Sequence, residues 1–496
     1  MISTLAFSIS SPFIDAGMSS QVVKLRGLGR LRGVIERNID GGNYLAFKGV
    51  PYAKPPVGNL RFSDPIPPEP WIGIRDAAKY GSPSGQYDIV QKKLCGSDDC
   101  LYLNVYGTHD LPVMVWLHGG VFAYGSGDNS IHGPDYLLKK DVIVVTINYR
   151  LGVFELSVSN VAPGNQGLKD QVLALKWIQE HVEAFGGDKN NVTLFGESAG
   201  AACVHFLSLS PLAQGLFHKA IAQSGTGFCP WASVLQSPKS NAIRLLEYLG
   251  KPYLGEQETV DFLRTVELWL FGPGVDDTAN VPFLPNFVSS IENGSVKVPL
   301  LLGYNNGEGI TFSKVLAAIK RDKKLTSADV KRAYFGDEPL HPEKSIKKFI
   351  ELYGDMHTFI GVNELAKKQA SKSEGPTYLY RFSFDNGTSH MKMLMNMTHI
   401  PGACHADELT YLFYPHGLSA LGYEPPEAGS RERILIERMT QMWTDFAKTG
   451  EFVKTTWKPI RKANELHYLE INDELSPASN PDAARLLVWN KLPNKL

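Results

Sequence analysis

The sequence predicts an α/β protein with a large, mostly parallel central sheet and helices on its faces. Short apolar runs bounded by turn residues, typical of buried parallel strands, occur at residues 113–117, 142–147, 192–195, 220–222 and 300–302. Helical periodicity lies between them, most clearly at 167–185, where Val172, Leu175, Ile178 and Val182 recur at intervals of three and four. Strands that alternate with helices imply right-handed crossovers and hence parallel pairing.

Other elements precede and follow this central region. Residues 22–47 contain alternating stretches separated by glycines and predict a small antiparallel hairpin, and the glycines of residues 27–33 are interpreted as hairpin glycines. Further strands are expected at 378–384 and 467–471, and a long helix at 433–448. Residues 1–20 are interrupted by Ser, Gly and Pro and predict a loose tail, which leaves 21–496 as a single domain.

Composition excludes several classes of protein. The 496 residues include 50 Lys and Arg against 51 Asp and Glu, and a net charge of −1 argues against nucleic-acid or membrane-surface binding. No apolar run approaches the about 18 residues that a membrane span needs. The 5 cysteines are scattered and predict neither a disulfide framework nor a zinc site. Because residues 1–20 lack a basic start, we expect a cytoplasmic protein, with secretion as the alternative.

A nucleophilic serine is predicted at Ser198. Gly196-Glu197-Ser198-Ala199-Gly200 follows the expected strand 192–195 and precedes an apolar run that can begin a helix. A strand–turn–helix elbow of this kind needs glycines on both sides, because the turn is tight, and it exposes the serine at the edge of the sheet. An ordinary turn serine is the alternative.

A serine needs a base and fixed N–H donors to attack a carbonyl group. Gly119 and Gly120 follow the expected strand 113–117 and could begin an oxyanion loop or a plain turn, and the N–H of Ala199 would complete the oxyanion hole. Glu308, in a glycine-flanked loop after strand 300–302, is the candidate acid. The chain order Ser, acid, His leaves seven candidate bases: His341, His357, His390, His399, His405, His416 and His467.

Several ordered blocks make the chain resemble the type-B carboxylesterase and cholinesterase family of α/β-hydrolases, most like insect α-esterases. The blocks are FKGVPYAKPPVG at 47–58, DCLYLNV at 99–105, NYRLG at 148–152 and the serine elbow. The resemblance implies an α/β-hydrolase fold and an ester hydrolase that needs no metal or organic cofactor. It also implies a small-molecule ester as the partner of a monomer or homodimer.

The family pattern assigns roles by position. It implies Ser198 as nucleophile, His405 as general base and then acid, and Glu308 as the residue that orients His405. The resemblance also implies oxyanion donors at Gly120, Val121 and Ala199 and a pocket carboxylate at Glu197. It further implies a serine behind the triad at Ser224 and aromatic pocket walls at Phe122 and Trp231. An ordinary structural role is the alternative for each of these residues.

Departures from the family pattern suggest limits on the activity. Val121 stands where the family has a third glycine, so its branched side chain is expected to slow the reaction, and Val121→Gly to raise kcat with a slight loss of stability. Ser84 replaces the usual disulfide partner of Cys100, and residues 84–100 contain no tryptophan for a choline cation.

Three other functions remain as alternatives at this stage. A protein on the same fold could sequester esters or organophosphates with little turnover, which Val121 favours. An adhesion-type interaction domain would tend to lack the nucleophile, and Ser198 argues against it. Juvenile-hormone esterases resemble the family but carry Gln before the serine, whereas this chain has Glu197. The sequence therefore favours a carboxylesterase that acts on small to medium apolar esters.

Overall fold

A computed structural model describes residues 20–107, 111–155, 162–235, 237–266, 281–311, 328–336, 345–386, 389–452 and 456–490. The predicted tail therefore lies, apart from Ser20, outside the described residues, as does the candidate base His341. In the described part of the chain the strands are β1 Ser20–Leu25, β2 Gly29–Arg37, β3 Asn43–Pro51, β4 Ile74–Asp76, β5 Gln86–Asp88, β6 Lys93–Cys95, β7 Tyr102–Gly107, β8 Leu111–Leu117, β9 Ile143–Ile147, β10 Gly187–Glu197, β11 Lys219–Gln223, β12 Leu300–Asn305, β13 Thr377–Phe382, β14 His467–Ile471 and β15 Leu475–Ser479.

Helices connect and cover these strands. They are α1 Asn129–His132, α2 Gln166–His181, α3 Ala199–Leu209, α4 Pro238–Tyr248, α5 Glu256–Leu263, α6 Phe287–Asn293, α7 Ala328–Phe335, α8 Ile346–Gly354, α9 Ile360–Lys372, α10 His390–Met395, α11 Arg431–Thr449 and α12 Ala483–Asn490. A π-helical turn, Asp355–Phe359, joins α8 to α9. None of the described helices is long and apolar enough to cross a membrane.

One large mixed sheet runs through the described residues in the order β1-β2-β3-β7-β9-β8-β10-β11-β12-β13-β14-β15. In this spatial order, neighbouring strands pair antiparallel along β1-β2-β3-β7-β9 and parallel along β9-β8-β10-β11-β12-β13-β14. The last pair, β14 and β15, is antiparallel. The predicted α/β-hydrolase fold with a largely parallel centre is confirmed. Because β8, β10, β11 and β12 run the same way, the loops after all four strands meet at one edge.

The core lies on both faces of the sheet. Side chains of β8 alternate between two buried clusters, with Val115 in the cluster that contains α2 and α3, and Trp116 in the cluster that contains α11. Both faces of the central strands are buried in these clusters, which explains why the strands are apolar at successive positions rather than at alternate ones.

The predicted N-terminal antiparallel hairpin is confirmed by the pairing of β1 with β2. It continues into the main sheet, because β2 pairs with β3 and β3 pairs with β7. Gly29 and Gly33 lie within β2, where an added Cβ would come within 2.6 Å of Trp71 and of Phe47 respectively. Close packing of these aromatic rings, rather than a turn, requires glycine at both positions.

Candidate active site

Ser198 lies at the sharp turn between β10 and α3. Its backbone has φ 55° and ψ −119°, a region that non-glycine residues rarely occupy. A Cβ on Gly196 would lie 2.6 Å from the Gly200 carbonyl carbon, and a Cβ on Gly200 would lie 2.0 Å from the Leu117 oxygen. The flanking glycines are therefore required by the close approach of α3 to the end of β8.

A chain of hydrogen bonds joins the three residues that the resemblance grouped. Ser198 Oγ lies 2.8 Å from His405 Nε2, and His405 Nδ1 lies 2.5 Å from Glu308 Oε2. Two further candidate bases, His357 and His390, also line the cavity beside Ser198. His405 is the candidate whose ring nitrogen contacts the serine oxygen, a contact that sequence spacing left undecided.

The second carboxylate oxygen of Glu308 is held by fixed donors. Ser224 Oγ donates to Glu308 Oε1 at 2.6 Å, and the backbone N–H of Asn305 donates to the same oxygen at 2.7 Å. Ser224 follows β11 with a positive φ of 55°, so it is placed at the same edge of the sheet as Ser198. These bonds leave Oε2 directed at His405, as expected of a residue that orients an imidazole ring.

The loop that carries His405 has no regular structure, and neighbouring side chains bind its backbone. Asn306 Oδ1 accepts the Ala403 N–H at 2.9 Å, and Asn305 Nδ2 donates to the Cys404 oxygen at 2.7 Å. Both asparagines belong to the loop that also contains Glu308. One hydrogen-bond network therefore positions both Glu308 and His405.

The predicted oxyanion loop packs directly against Ser198. A Cβ on Gly119 would lie 3.1 Å from Ser198 Cβ, and Gly120 has a φ of 105°. Val121 follows with a φ of 48°, an unfavourable conformation for a β-branched residue, and its side chain is 51% exposed. Ala199 is the first residue of α3, where backbone N–H groups have no intrahelical acceptor.

His118 supports this loop from the inside. Its ring is buried, stacks on Tyr149 with centroids 4.4 Å apart, and places Nδ1 2.8 Å from the Gly119 oxygen. Burial lowers the pKa of His118 to about 4, so the ring is neutral and Nδ1 carries the proton that binds the Gly119 carbonyl. His118 thus stabilises the conformation of the predicted oxyanion loop, a role that the sequence did not indicate.

Carboxylates surround the His405 ring. Glu197 Oε1 lies 3.1 Å from His405 Nε2, on the side of the ring that faces Ser198. Burial raises the pKa of Glu197. Burial alone would lower the pKa of His405, but the negative charges of Glu197 and Glu308 have the larger effect, so the pKa of His405 is raised. The site therefore favours the protonated form of the His405 ring.

Glu408 is a third buried carboxylate that the sequence analysis missed. Asn305 Nδ2 donates to Glu408 Oε2 at 2.5 Å, and Gln223 Nε2 donates to Oε1 at 3.2 Å. Burial raises the pKa of Glu408 to about 7. Its position three residues after His405 is the signal that could have identified it.

A cavity of about 390 Å³ opens beside the triad. Its lining is mainly apolar, and no lysine or arginine occurs among the described residues that form it. The apolar residues include Val90, Ile131, Trp231, Met391, Leu394 and Leu409. The lining also includes the carboxyl groups of Asp88 and Glu197, so the cavity suits an apolar compound without a negative charge.

Two aromatic residues were assigned to the pocket wall by resemblance, and they differ in position. Trp231 lines the cavity, and its indole Nε1 donates to the His357 oxygen at 2.7 Å. Phe122 is buried, with its ring centroid 6.5 Å from that of Trp231. Trp231 thus contacts the cavity and Phe122 lies close to it in the core.

The cysteines of the described residues form no disulfide bond. All 5 cysteines belong to the described residues and are free thiols, and Cys100 is fully buried. The Ser84 Oγ that replaces a disulfide partner accepts the Leu151 N–H at 3.3 Å. Within the described ranges, no group of three or more His, Cys, Asp or Glu side chains is arranged to bind a metal ion.

Comparison with known proteins identifies the family. The model of the Carboxylesterase family matches residues 19–489. Esterase FE4 of Myzus persicae is 33% identical over 88% of this chain and 86% of its own length. Juvenile hormone esterase of Tribolium castaneum is 34% identical over 85% of this chain and 82% of its own.

A solved structure extends the likeness to the fold. The crystal structure of juvenile hormone esterase from Manduca sexta, with OTFP covalently attached, aligns with a TM-score of 0.81 at 29% identity, over 95% of this chain and 98% of that one. The family match covers the strands, the elbow and the three residues of the hydrogen-bond chain. The chain therefore belongs to the carboxylesterase family, as a carboxylic ester hydrolase.

Proposed function

We propose that the protein is a serine carboxylesterase that hydrolyses small to medium apolar esters, of xenobiotic or lipid origin, through an acyl-enzyme. The observation that carries this proposal is the continuous contact from Ser198 Oγ through His405 to Glu308, 2.8 Å and 2.5 Å long, beside an apolar cavity. The mainly apolar lining of the cavity supports the choice of apolar substrates.

The geometry supports a two-step reaction. His405 Nε2 takes the Ser198 proton while Oγ attacks the ester carbonyl, and Glu308 stabilises the resulting imidazolium. The N–H groups of Gly120, Val121 and Ala199 are the proposed donors to the oxyanion. His405 then returns the proton to the leaving alcohol, which breaks the C–O bond and leaves the acyl group on Ser198.

The second step mirrors the first. His405 takes a proton from water, the hydroxide oxygen attacks the acyl carbonyl, and the proton returns to Ser198 Oγ as the carboxylic acid leaves. Each proton that His405 accepts is released within the same step. The enzyme is therefore regenerated without a metal or a redox cofactor in this scheme.

Labelling and substitution test the proposal. A fluorophosphonate probe followed by peptide mass spectrometry is expected to modify Ser198, and the wild type to hydrolyse p-nitrophenyl acetate. Ser198→Ala is expected to lose about 10⁴-fold or more in kcat while its circular dichroism and Tm stay close to wild type, because alanine fits the elbow. Retained hydrolysis in the purified variant would disprove the serine mechanism.

A second candidate function is sequestration of esters or organophosphates without turnover. The left-handed backbone of Val121, with a φ of 48°, is the observation that favours it, because a strained oxyanion loop would stabilise the transition state poorly. Labelling of Ser198 without ester turnover would support sequestration. Turnover of the short ester at a rate typical of enzymes would exclude it.

A further inference from the structure

One wall of the cavity is the π-helical turn between α8 and α9. His357 and Thr358 of this turn line the cavity, and the His357 carbonyl binds the indole N–H of Trp231 at 2.7 Å. The last residue of α8, directly before this turn, packs against Glu308, because a Cβ on Gly354 would lie 3.3 Å from Glu308 Cβ. Such turns are rare and are often found at functional sites.

The outer side of this turn is held by an ion pair from the C-terminal helix. Asp355, the first residue of the turn, is fully buried, and its Oδ1 lies 3.3 Å from Nε of Arg485 on α12. Tyr334 donates to the other carboxylate oxygen, and Trp489 of α12 donates to Tyr334 at 2.6 Å. Two residues of α12 thus bind the turn through Asp355.

Arg485 also contacts the opposite end of the turn. Phe359 is the last residue of the turn, and the guanidinium carbon of Arg485 lies 5.3 Å from the centroid of its ring. A second ion pair, 2.9 Å from Nη2 to Asp482 Oδ2, fixes the arginine itself, and Tyr304 of β12 donates to the same oxygen at 2.6 Å. Arg485 therefore spans the turn from Asp355 to Phe359 while it is anchored to the central sheet.

The chemistry of a buried carboxylate explains why this contact matters. Burial raises the pKa of Asp355 to about 7, and the positive charge of Arg485 opposes that rise. Removal of the arginine would leave a buried carboxylate without its cation, which destabilises the local conformation. The turn carries His357, whose carbonyl oxygen accepts a hydrogen bond from Trp231. A substitution at Arg485 should therefore shift the cavity wall, although Arg485 itself does not line the cavity.

We propose that Arg485 is a positioning residue for substrate selectivity: its clamp on the π-helical turn holds the Trp231 wall in place for esters with long acyl chains. The proposal rests on the proposed esterase function and assigns α12 a role in that site. A hexanoyl group has four more carbon atoms than an acetyl group and fills more of the cavity, so its binding should depend more on the position of the walls.

The test compares two esters in Arg485→Ala. We expect kcat/KM for p-nitrophenyl hexanoate to fall about tenfold, mainly through KM, and kcat/KM for p-nitrophenyl acetate to change less than twofold. Arg485→Lys keeps the charge and is expected to recover most of the hexanoate activity. Asp355→Asn removes the same charge pair from the other side and is expected to show the same selective loss, which covers the case that Arg485→Ala does not fold.

Arg431→Ala is the matched control, because Arg431 forms an exposed ion pair with Asp473 at 2.5 Å, away from the cavity lining. It should leave the ratio of the two esters unchanged. Equal losses for both esters in Arg485→Ala, an unchanged ratio, or the same selective loss in the control would overturn the proposal.

Hydrogen exchange separates this proposal from the esterase assignment. Amides of residues 355–359 are expected to exchange faster in Arg485→Ala and at the wild-type rate in Arg431→Ala, whether or not the protein turns over either ester. Unchanged exchange in Arg485→Ala disproves the clamp. Failure of the wild type to hydrolyse both esters disproves the proposed function instead.

Discussion

Val121→Gly tests the oxyanion loop directly. The valine has a φ of 48°, follows Gly120 with a φ of 105°, and projects a side chain that is 51% exposed where it lines the cavity. Glycine adopts this backbone conformation without steric cost and removes the branched side chain from the cavity. The substitution should therefore improve alignment of the loop and make room for bulky groups.

The expected magnitudes follow from this geometry. The left-handed conformation costs an L-residue roughly 1–2 kcal/mol, and glycine adds roughly 0.4–1 kcal/mol of unfolded-state entropy. The free energy of unfolding should therefore stay level or rise by up to about 1.5 kcal/mol, since little buried area is lost. This reverses the slight loss of stability that the sequence alone suggests. A full oxyanion donor contributes ~2.7–4 kcal/mol, so recovery of about 1 kcal/mol would raise kcat roughly fivefold.

Steady-state kinetics and urea unfolding measure both effects. We expect the largest gain in kcat for branched or bulky esters and a smaller gain for p-nitrophenyl acetate. Val121→Ala is the matched control and should fall between valine and glycine, because it removes the branch but keeps a Cβ at positive φ. A glycine variant that is no faster on any ester, or that is less stable than wild type, would refute the strain argument.

Three other predictions follow from the site. His405→Ala should lose at least about 10³-fold in kcat while His467→Ala, whose Nδ1 contacts Ser479 on an edge strand, stays near wild type; the reverse result would show that the base was misassigned. Glu197→Gln removes a charge that raises the pKa of His405, so the acid limb of the kcat/KM profile should move to lower pH, and a shift to higher pH would contradict this electrostatic argument. Acetylcholine should have a lower kcat/KM than an uncharged acetate ester, because residues 84–100 provide no tryptophan to bind the cation; a higher value for the choline ester would show that another part of the cavity binds it.

The positions of the central strands and of the glycine elbow could be predicted because both depend on local sequence. Central strands covered on both faces must be apolar at successive positions, and a tight strand-to-helix turn must have glycines where Gly196 and Gly200 stand. The exact ends of the strands were less certain. The strand expected at 378–384 runs from Thr377 to Phe382, because the next strand pairs only as far as Phe382.

The choice of base and acid needed more than local sequence. Spacing left seven histidines open, and the resemblance selected His405 by position rather than by contact. The structure places its Nε2 2.8 Å from Ser198, a separation of 207 residues in the chain. Such contacts depend on how the parallel strands align at one edge, which a linear pattern does not specify.

The sequence by itself determined the fold class, the family and the position of the glycine-flanked elbow at Ser198, because each depends on residue types in local motifs. Only the tertiary structure decided that Glu408 and His118 support the site, that Val121 has a positive φ, and that Arg485 of α12 contacts the cavity wall through Asp355. These features arise from contacts between segments far apart in the chain and from backbone angles that neighbouring packing imposes. Local propensity does not encode either of them.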